Sequence, residues 1–534
     1  MEYKKSLLKC LVLAAGTMLL GSCEKNFLNV NNNPNQPSSA DPTLVFSNAL
    51  QQTTGVMTDL ISGTGPSGAN SLCYPMNYYS LSSNYQIDFT ITRNDYTTND
   101  FTNVWSDAYH NLNDYSYVIT NSEAQGKWFL AAASKVMLAL DYQILVDCYN
   151  DVPYSQALSL VDSGVSQPAY DKGQAVYNAL LVQLDSAITI FETPSLLSTY
   201  SVGAADIMWG GSAQGWVQFA NSLKLRILMH EVNVASQAST IQTELANIAA
   251  DQYGLMGQGV SALVNPGYAS DAQNHVNPLY YLNGYTVTGA LTNPDITANS
   301  YFISKLGSYN DPRLGYFYGA TNGAITGNPF GQPSNSAANF LGGPTPDNSA
   351  TPYNSGIAPT GGATWGILAS PTNPFVIMSS WESLFLQAEA TQRGLMPGGA
   401  AAAQTLYQQA VSDHFTFLNV YTDGVNVNDP SSFATAYLNQ PIVNVGWAAS
   451  SADLLQCIIT QKYISLGMIA PLEAWTDYRR TGFPSDLPTS NDPARKYDYA
   501  NRLIYPQTEF DTNEGNVKAE GTVTPVSPKP FWMP

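Results

Sequence analysis

Apolar residues recur along most of this chain at helical spacing. Between Trp128 and Asp147, the residues Trp128, Phe129, Ala132, Val136, Ala139, Leu140 and Ile144 fall three or four apart, and Asn150-Asp151-Val152-Pro153 supplies a stop. Val176, Leu180, Leu181, Leu184 and Ile188 repeat the pattern and predict a helix from Tyr170 to Phe191. Further helices are predicted over Trp216 to Val234, Ile241 to Ala250, Trp381 to Arg393, Ala400 to Phe417 and Ala452 to Ile469. Residues 254–375 differ, being dense in Gly, Pro, Asn and Tyr with only short apolar runs, and predict loops with a few small strands. Long irregular stretches inside a compact protein are more often functional than accidental.

The first apolar run has another character. Lys4, Lys5 and Lys9 supply positive charge, Leu7 to Leu20 supply a short apolar stretch, and Leu20-Gly21-Ser22-Cys23 closes it. That order reads as a signal peptide over residues 1–22, too short and wrongly flanked to span a bilayer. A cysteine after the small residues makes it a lipoprotein signal, with Cys23 the expected site of lipidation. Buried acyl chains contribute roughly 0.8 kcal/mol per CH₂, so two or three would make anchoring effectively permanent. Residues 23–41, rich in Asn, Pro and Ser, read as a tether. Residues 42–534 remain as one helical unit carrying the loop-rich insertion at about 254–375.

The formal net charge is −19, and it becomes more negative once the signal is removed. Such a surface repels nucleic acid and anionic lipid. Only 11% of residues are charged, against about 25% in typical domains, which leaves neutral hydrogen-bonding groups as the main polar surface. Cys73, Cys148 and Cys457 lack the spacing of a zinc or redox motif and read as small buried hydrophobes, with one disulfide left open.

The acidic pairs read as structure. Asp147 and Asp151 flank a helix end, where carboxylates cap backbone N–H groups or accept from Tyr or Arg. Asp477, Arg479 and Arg480 suit an ion pair, and Glu382 and Glu389, seven apart, share one helical face. His230-Glu231 lacks the second histidine of a zinc-protease motif because position 234 is Val234, so no metal site is expected. No cofactor motif survives either, since Pro66 breaks the dinucleotide pattern of Gly63 to Gly68, and Gly211-Ser212 fails as a nucleophile elbow because Gln214 replaces the second glycine.

The loop aromatics are a better lead. Tyr74, Tyr78, Tyr79 and Tyr85 cluster in one segment, Tyr268, Tyr280, Tyr281 and Tyr285 in another, and Trp365 lies in a Gly-rich stretch. A flat apolar ring with a polar edge suits a sugar's C–H face or a peptide side chain. Large aromatics under loops also form satellite cores, which is the competing expectation for each of them.

Several blocks in order carry a family resemblance. The lipobox is followed by Asn31-Asn32-Asn33-Pro34-Asn35-Gln36-Pro37 and by Leu145-Val146-Asp147-Cys148-Tyr149-Asn150-Asp151-Val152-Pro153-Tyr154. Trp216-Val217-Gln218-Phe219-Ala220-Asn221-Ser222-Leu223-Lys224-Leu225-Arg226, Glu473-Ala474-Trp475-Thr476-Asp477-Tyr478-Arg479-Arg480 and Arg502-Leu503-Ile504-Tyr505-Pro506 come later. The chain thereby resembles the SusD/RagB nutrient-binding outer membrane lipoproteins of Bacteroidota. The resemblance implies a mainly α fold of tetratricopeptide-like helix pairs. It also implies a SusC-like TonB-dependent β-barrel partner and a lipid-anchored place at the cell outer membrane, facing outward. The expected role is non-enzymatic capture of an oligomeric nutrient, a glycan first, with a peptide or other non-sugar nutrient as the alternative and a surface glycan hydrolase as the remote one.

Overall fold

The computed structural model describes residues 40–63, 70–82, 89–159, 163–284, 286, 292–293, 295–318, 325–332, 366–368, 370–420 and 429–534. The proposed signal, Cys23, most of the tether, Tyr85, Tyr285 and Trp365 lie outside these residues. Twelve helices of nine residues or more are present among the described residues. In chain order they are α1 Pro42–Ile61, α2 Thr102–Ala124, α3 Trp128–Tyr149, α4 Gly173–Phe191, α5 Ala213–His230 and α6 Ala238–Ala250. Then follow α7 Ser300–Ser308, α8 Ser380–Gln392, α9 Gly399–Phe417, α10 Pro430–Leu438, α11 Leu454–Leu466 and α12 Pro471–Thr481. The fold is mainly α, as the periodicity predicts.

Neighbours in sequence pack as pairs: α2 on α3, α3 on α4, α4 on α5 and α8 on α9. Only three residues separate α2 from α3, which forces them to run back along each other. Helix α3 is long and apolar enough to cross a membrane, yet 94% of its most apolar window is buried inside the protein, so it serves as the central core helix. Asn150 stops it with a positive φ of 68°, a conformation Asn tolerates, and donates its side-chain amide to Asp151 at 2.8 Å.

Among the described residues three two-stranded antiparallel sheets decorate the helices: β1 Tyr79–Leu81 with β5 Ile296–Ala298, β2 Val152–Pro153 with β3 Tyr170–Asp171, and β4 Ala262–Val264 with β6 Phe375–Met378. The first pairs Tyr79 with Ala298 and Leu81 with Ile296, and the third pairs Val264 with Phe375, so both pin parts of the loop-rich region to the helical body. Segment 523–534 then folds back over the core. Trp532 is buried, its ring 4.7 Å from the Arg479 guanidinium, while the Phe531 backbone N–H donates to Asn150 Oδ1 at 2.7 Å. The Phe531 ring meets Tyr177 edge-on at 5.3 Å.

Candidate functional site

A short helix, Pro278–Asn283, forms one wall of a cleft in the loop-rich region. Pro278 occupies its first turn, and Asn277 caps it by accepting from the backbone N–H groups of Leu279 at 2.9 Å and Tyr280 at 3.2 Å. The same Asn277 donates its amide to the Asn373 carbonyl at 2.9 Å and its backbone N–H to the Pro371 carbonyl at 2.7 Å, which ties the facing loop to the helix. At the other end Asn283 donates to Ser62 Oγ and Tyr79 Oη, both at 2.9 Å, anchoring the helix to the end of α1.

The opposite wall comes from three other places. Strand β6 brings Phe375 and Val376, α9 brings Phe417, and the loop after α11 brings Ile469. Ile61, at the end of α1, and Ile367 with Leu368 complete the floor. Gly366 lets the chain reach that position: its φ is +82°, and a Cβ there would lie 2.7 Å from the Tyr316 carbonyl oxygen. The Ile367 N–H donates to that same oxygen at 3.0 Å.

The cleft encloses about 470 Å³ including its open mouth. None of the described residues that line it is charged, and Asn277, Ser370, Asn373 and Tyr280 supply the polar groups. Phe417 is backed by Trp381, whose ring centroid lies 4.7 Å away, so the floor rests on a second aromatic layer. A concave apolar surface with a few placed polar groups is the usual build of a small-molecule site.

The aromatic expectations divide on this geometry. Tyr280 lines the cleft, Tyr281 beside it is 44% exposed, and Tyr268 is half-buried against the core. Tyr74, Tyr78 and Tyr79 are buried in the core, and none of them lines this cleft. Pairing of β1 with β5 draws their segment inward, where Tyr78 stacks on Tyr463 at 4.8 Å and donates to the Tyr463 carbonyl at 2.6 Å. Tyr463 returns a bond from its hydroxyl to the Met76 carbonyl at 2.6 Å, and Tyr74 stacks on Phe330 at 6.3 Å.

The acidic residues weighed from sequence lie in a buried charged network. His230 Nδ1 is 3.3 Å from Asp147 Oδ2 and its Nε2 is 3.0 Å from Glu473 Oε2. Burial alone would lower the imidazole pKa, but the two carboxylates outweigh it and hold it at about 9. Glu473 is held well below the usual carboxylate range, burial being overcome by Arg226 and His230. These three residues could present one ligand atom each within 4.8 Å of one another. A cation fits poorly there, because every oxygen already has a donor: Tyr177 and Gln143 donate to Asp147, Gln143 donates to Glu473 at 3.1 Å, and Arg226 lies 3.6 Å from Glu473.

Glu382 accepts from Arg226 Nε at 2.7 Å, and Glu389 takes a two-pronged contact from Arg480 at 2.6 and 2.5 Å. Asp477 pairs with both Arg480 and Lys462, at 2.6 and 2.9 Å. The two glutamates of one helical face therefore bind separate arginines. This network is structural.

Sequence reasoning missed the cleft floor. Ile61, Ile367, Val376 and Ile469 are ordinary apolar residues drawn from three separate parts of the chain, and nothing local marks them as neighbours. The one usable signal was aromatic enrichment in the loops, which found Tyr280.

Comparison with known proteins places this geometry in a family. A chitin-binding SusD homologue from Flavobacterium johnsoniae matches with a TM-score of 0.68 at 21% identity, covering 92% of this chain and 97% of that chain. A SusD homologue from Bacteroides uniformis gives 0.68 at 23% identity, covering 92% and 99%. A SusD/RagB family protein from Bacteroides thetaiotaomicron gives 0.66 at 19% identity, again covering 92% and 99%. At these identities the likeness establishes the fold. No curated protein sequence matches the chain. A SusD-like family profile described as "Starch-binding associating with outer membrane" matches residues 34–506, most of the 534, and the chain belongs to this SusD-like family.

Proposed function

We propose that this protein is a lipid-anchored receptor on the outer face of the outer membrane, which captures a neutral oligosaccharide and delivers it to a SusC-like TonB-dependent barrel. The observation that carries this reading is the family match over residues 34–506, joined to a cleft without charged lining. The chitin-binding description of the Flavobacterium johnsoniae structure supports a glycan as the class of nutrient. Neutral hydrogen-bonding groups and apolar surface hold a sugar at modest affinity, which favours release to a transporter over retention. The protein's own carboxylates in the core are engaged with Arg226, Arg480 and His230, so binding without chemistry is the reading they favour.

Cys23 would carry the anchor, and the polar stretch before α1 would give the body reach from the membrane. Detergent extraction of native outer membranes followed by affinity purification tests the partnership. A co-purifying β-barrel is expected, and its absence together with failure of every oligosaccharide in a binding panel would overturn the reading. Cys23→Ala is expected to release the protein from the membrane fraction.

A further inference from the structure

The chemistry of the cleft narrows the ligand further, and the argument rests on the glycan-binding reading above. A sugar that carries only hydroxyls presents flat C–H faces, which stack on exposed rings. It has no protruding apolar group to fill a concave hole. Here the deep surface is aliphatic and aromatic, formed by Ile61, Ile367, Leu368, Phe375, Val376 and Phe417. A hydroxyl pushed into it would be stripped of water without a partner, at a cost comparable to a lost hydrogen bond. Asn277 spends its side chain on the helix cap and the Asn373 carbonyl, so the polar groups left to a ligand belong to Tyr280 and to the loop 370–373, where Ser370 and Asn373 are half-exposed.

That division, apolar depth and amide-bearing rim, matches a short acyl group: methyl inward, amide or ester at the mouth. Charge excludes the nearest rivals. No cation lines the cleft among the described residues to receive a uronate or sulfate, and the chain's net charge of −19 opposes anionic polymers at longer range. We propose that the cleft seats the acetyl group of an uncharged, acetylated sugar unit, with the ring that bears it lying in the mouth between Tyr280 and Asn373.

The test uses pairs of neutral oligosaccharides of equal length and linkage that differ only by acetamido for hydroxyl. β-1,4-linked N-acetylglucosamine oligomers against cello-oligosaccharides form one pair, and the corresponding galacto series forms another. Titration calorimetry of the purified mature protein is expected to show the acetylated member binding at least about tenfold more tightly. That is the sum of one buried methyl and one satisfied amide hydrogen bond. Ser370→Trp, which fills the mouth, is expected to erase the preference while Val182→Ala, at an exposed position of α4 outside the cleft, keeps it, with unchanged melting temperatures. Equal affinity within pairs that do bind would overturn the acetyl inference and leave glycan capture standing. No binding by either member of any pair, with binding of peptides instead, would overturn both.

Discussion

Raising the pH should loosen the helical core through His230. The imidazole is fully buried between Asp147 and Glu473, with a pKa near 9 in place of the usual 6.5. Because the folded state holds this proton more tightly than the unfolded chain, the stabilisation is complete below about pH 6.5 and is lost as pH rises through about 9. Each tenfold in proton affinity is worth about 1.4 kcal/mol, so the gap corresponds to about 3 kcal/mol. Other groups act in an overlapping window. Burial pushes Glu231 up to about 8, and burial with the charge of Asp107 does the same for Asp59, so the destabilisation from both grows from the ordinary carboxylate range to about pH 8 and stays constant above it. The His230 contribution is therefore read as a difference. Denaturant unfolding of wild type and His230→Gln between pH 6 and 10 should show a penalty that shrinks by about 3 kcal/mol across that range. A penalty that is flat or grows with pH would refute the protonated clasp.

Arg480→Ala should cost about 3–5 kcal/mol, since it leaves Glu389 and Asp477 buried beside too little positive charge, and the denaturant midpoint would report it. Cys73, Cys148 and Cys457 are buried free thiols, and burial pushes Cys73 up to about 12. Iodoacetamide at pH 8 is expected to leave all three unmodified in the folded protein and to label all three after unfolding, as counted by mass spectrometry.

Helices with a continuous apolar stripe were readable in the sequence: α3, α4, α8 and α9 fall within a few residues of their predicted limits. Helix α2 went unread although Val104, Trp105, Ala108, Leu112, Tyr115 and Val118 share a face, because Asn, Asp and Ser dilute the stripe and Phe101, with a φ of 54°, offers no capping side chain. Helix α1 had its signals in place, Asp41 as cap and Pro42 in the first turn, directly after the tether-like composition. The candidate cleft was legible only through Tyr280. Its remaining surface depends on which distant apolar residues the fold brings together, and a pattern one turn long carries no record of that. The same limit explains Tyr74, Tyr78 and Tyr79: whether a loop aromatic faces solvent is set by strand pairing more than two hundred residues away.

Trp532 closes a core that joins early and late parts of the chain. The amide of Gln143 reaches Glu473 across 330 positions, and Phe531 meets Asn150 across 381. A ribosome must therefore release nearly the entire polypeptide before the innermost charges can be shut away from water.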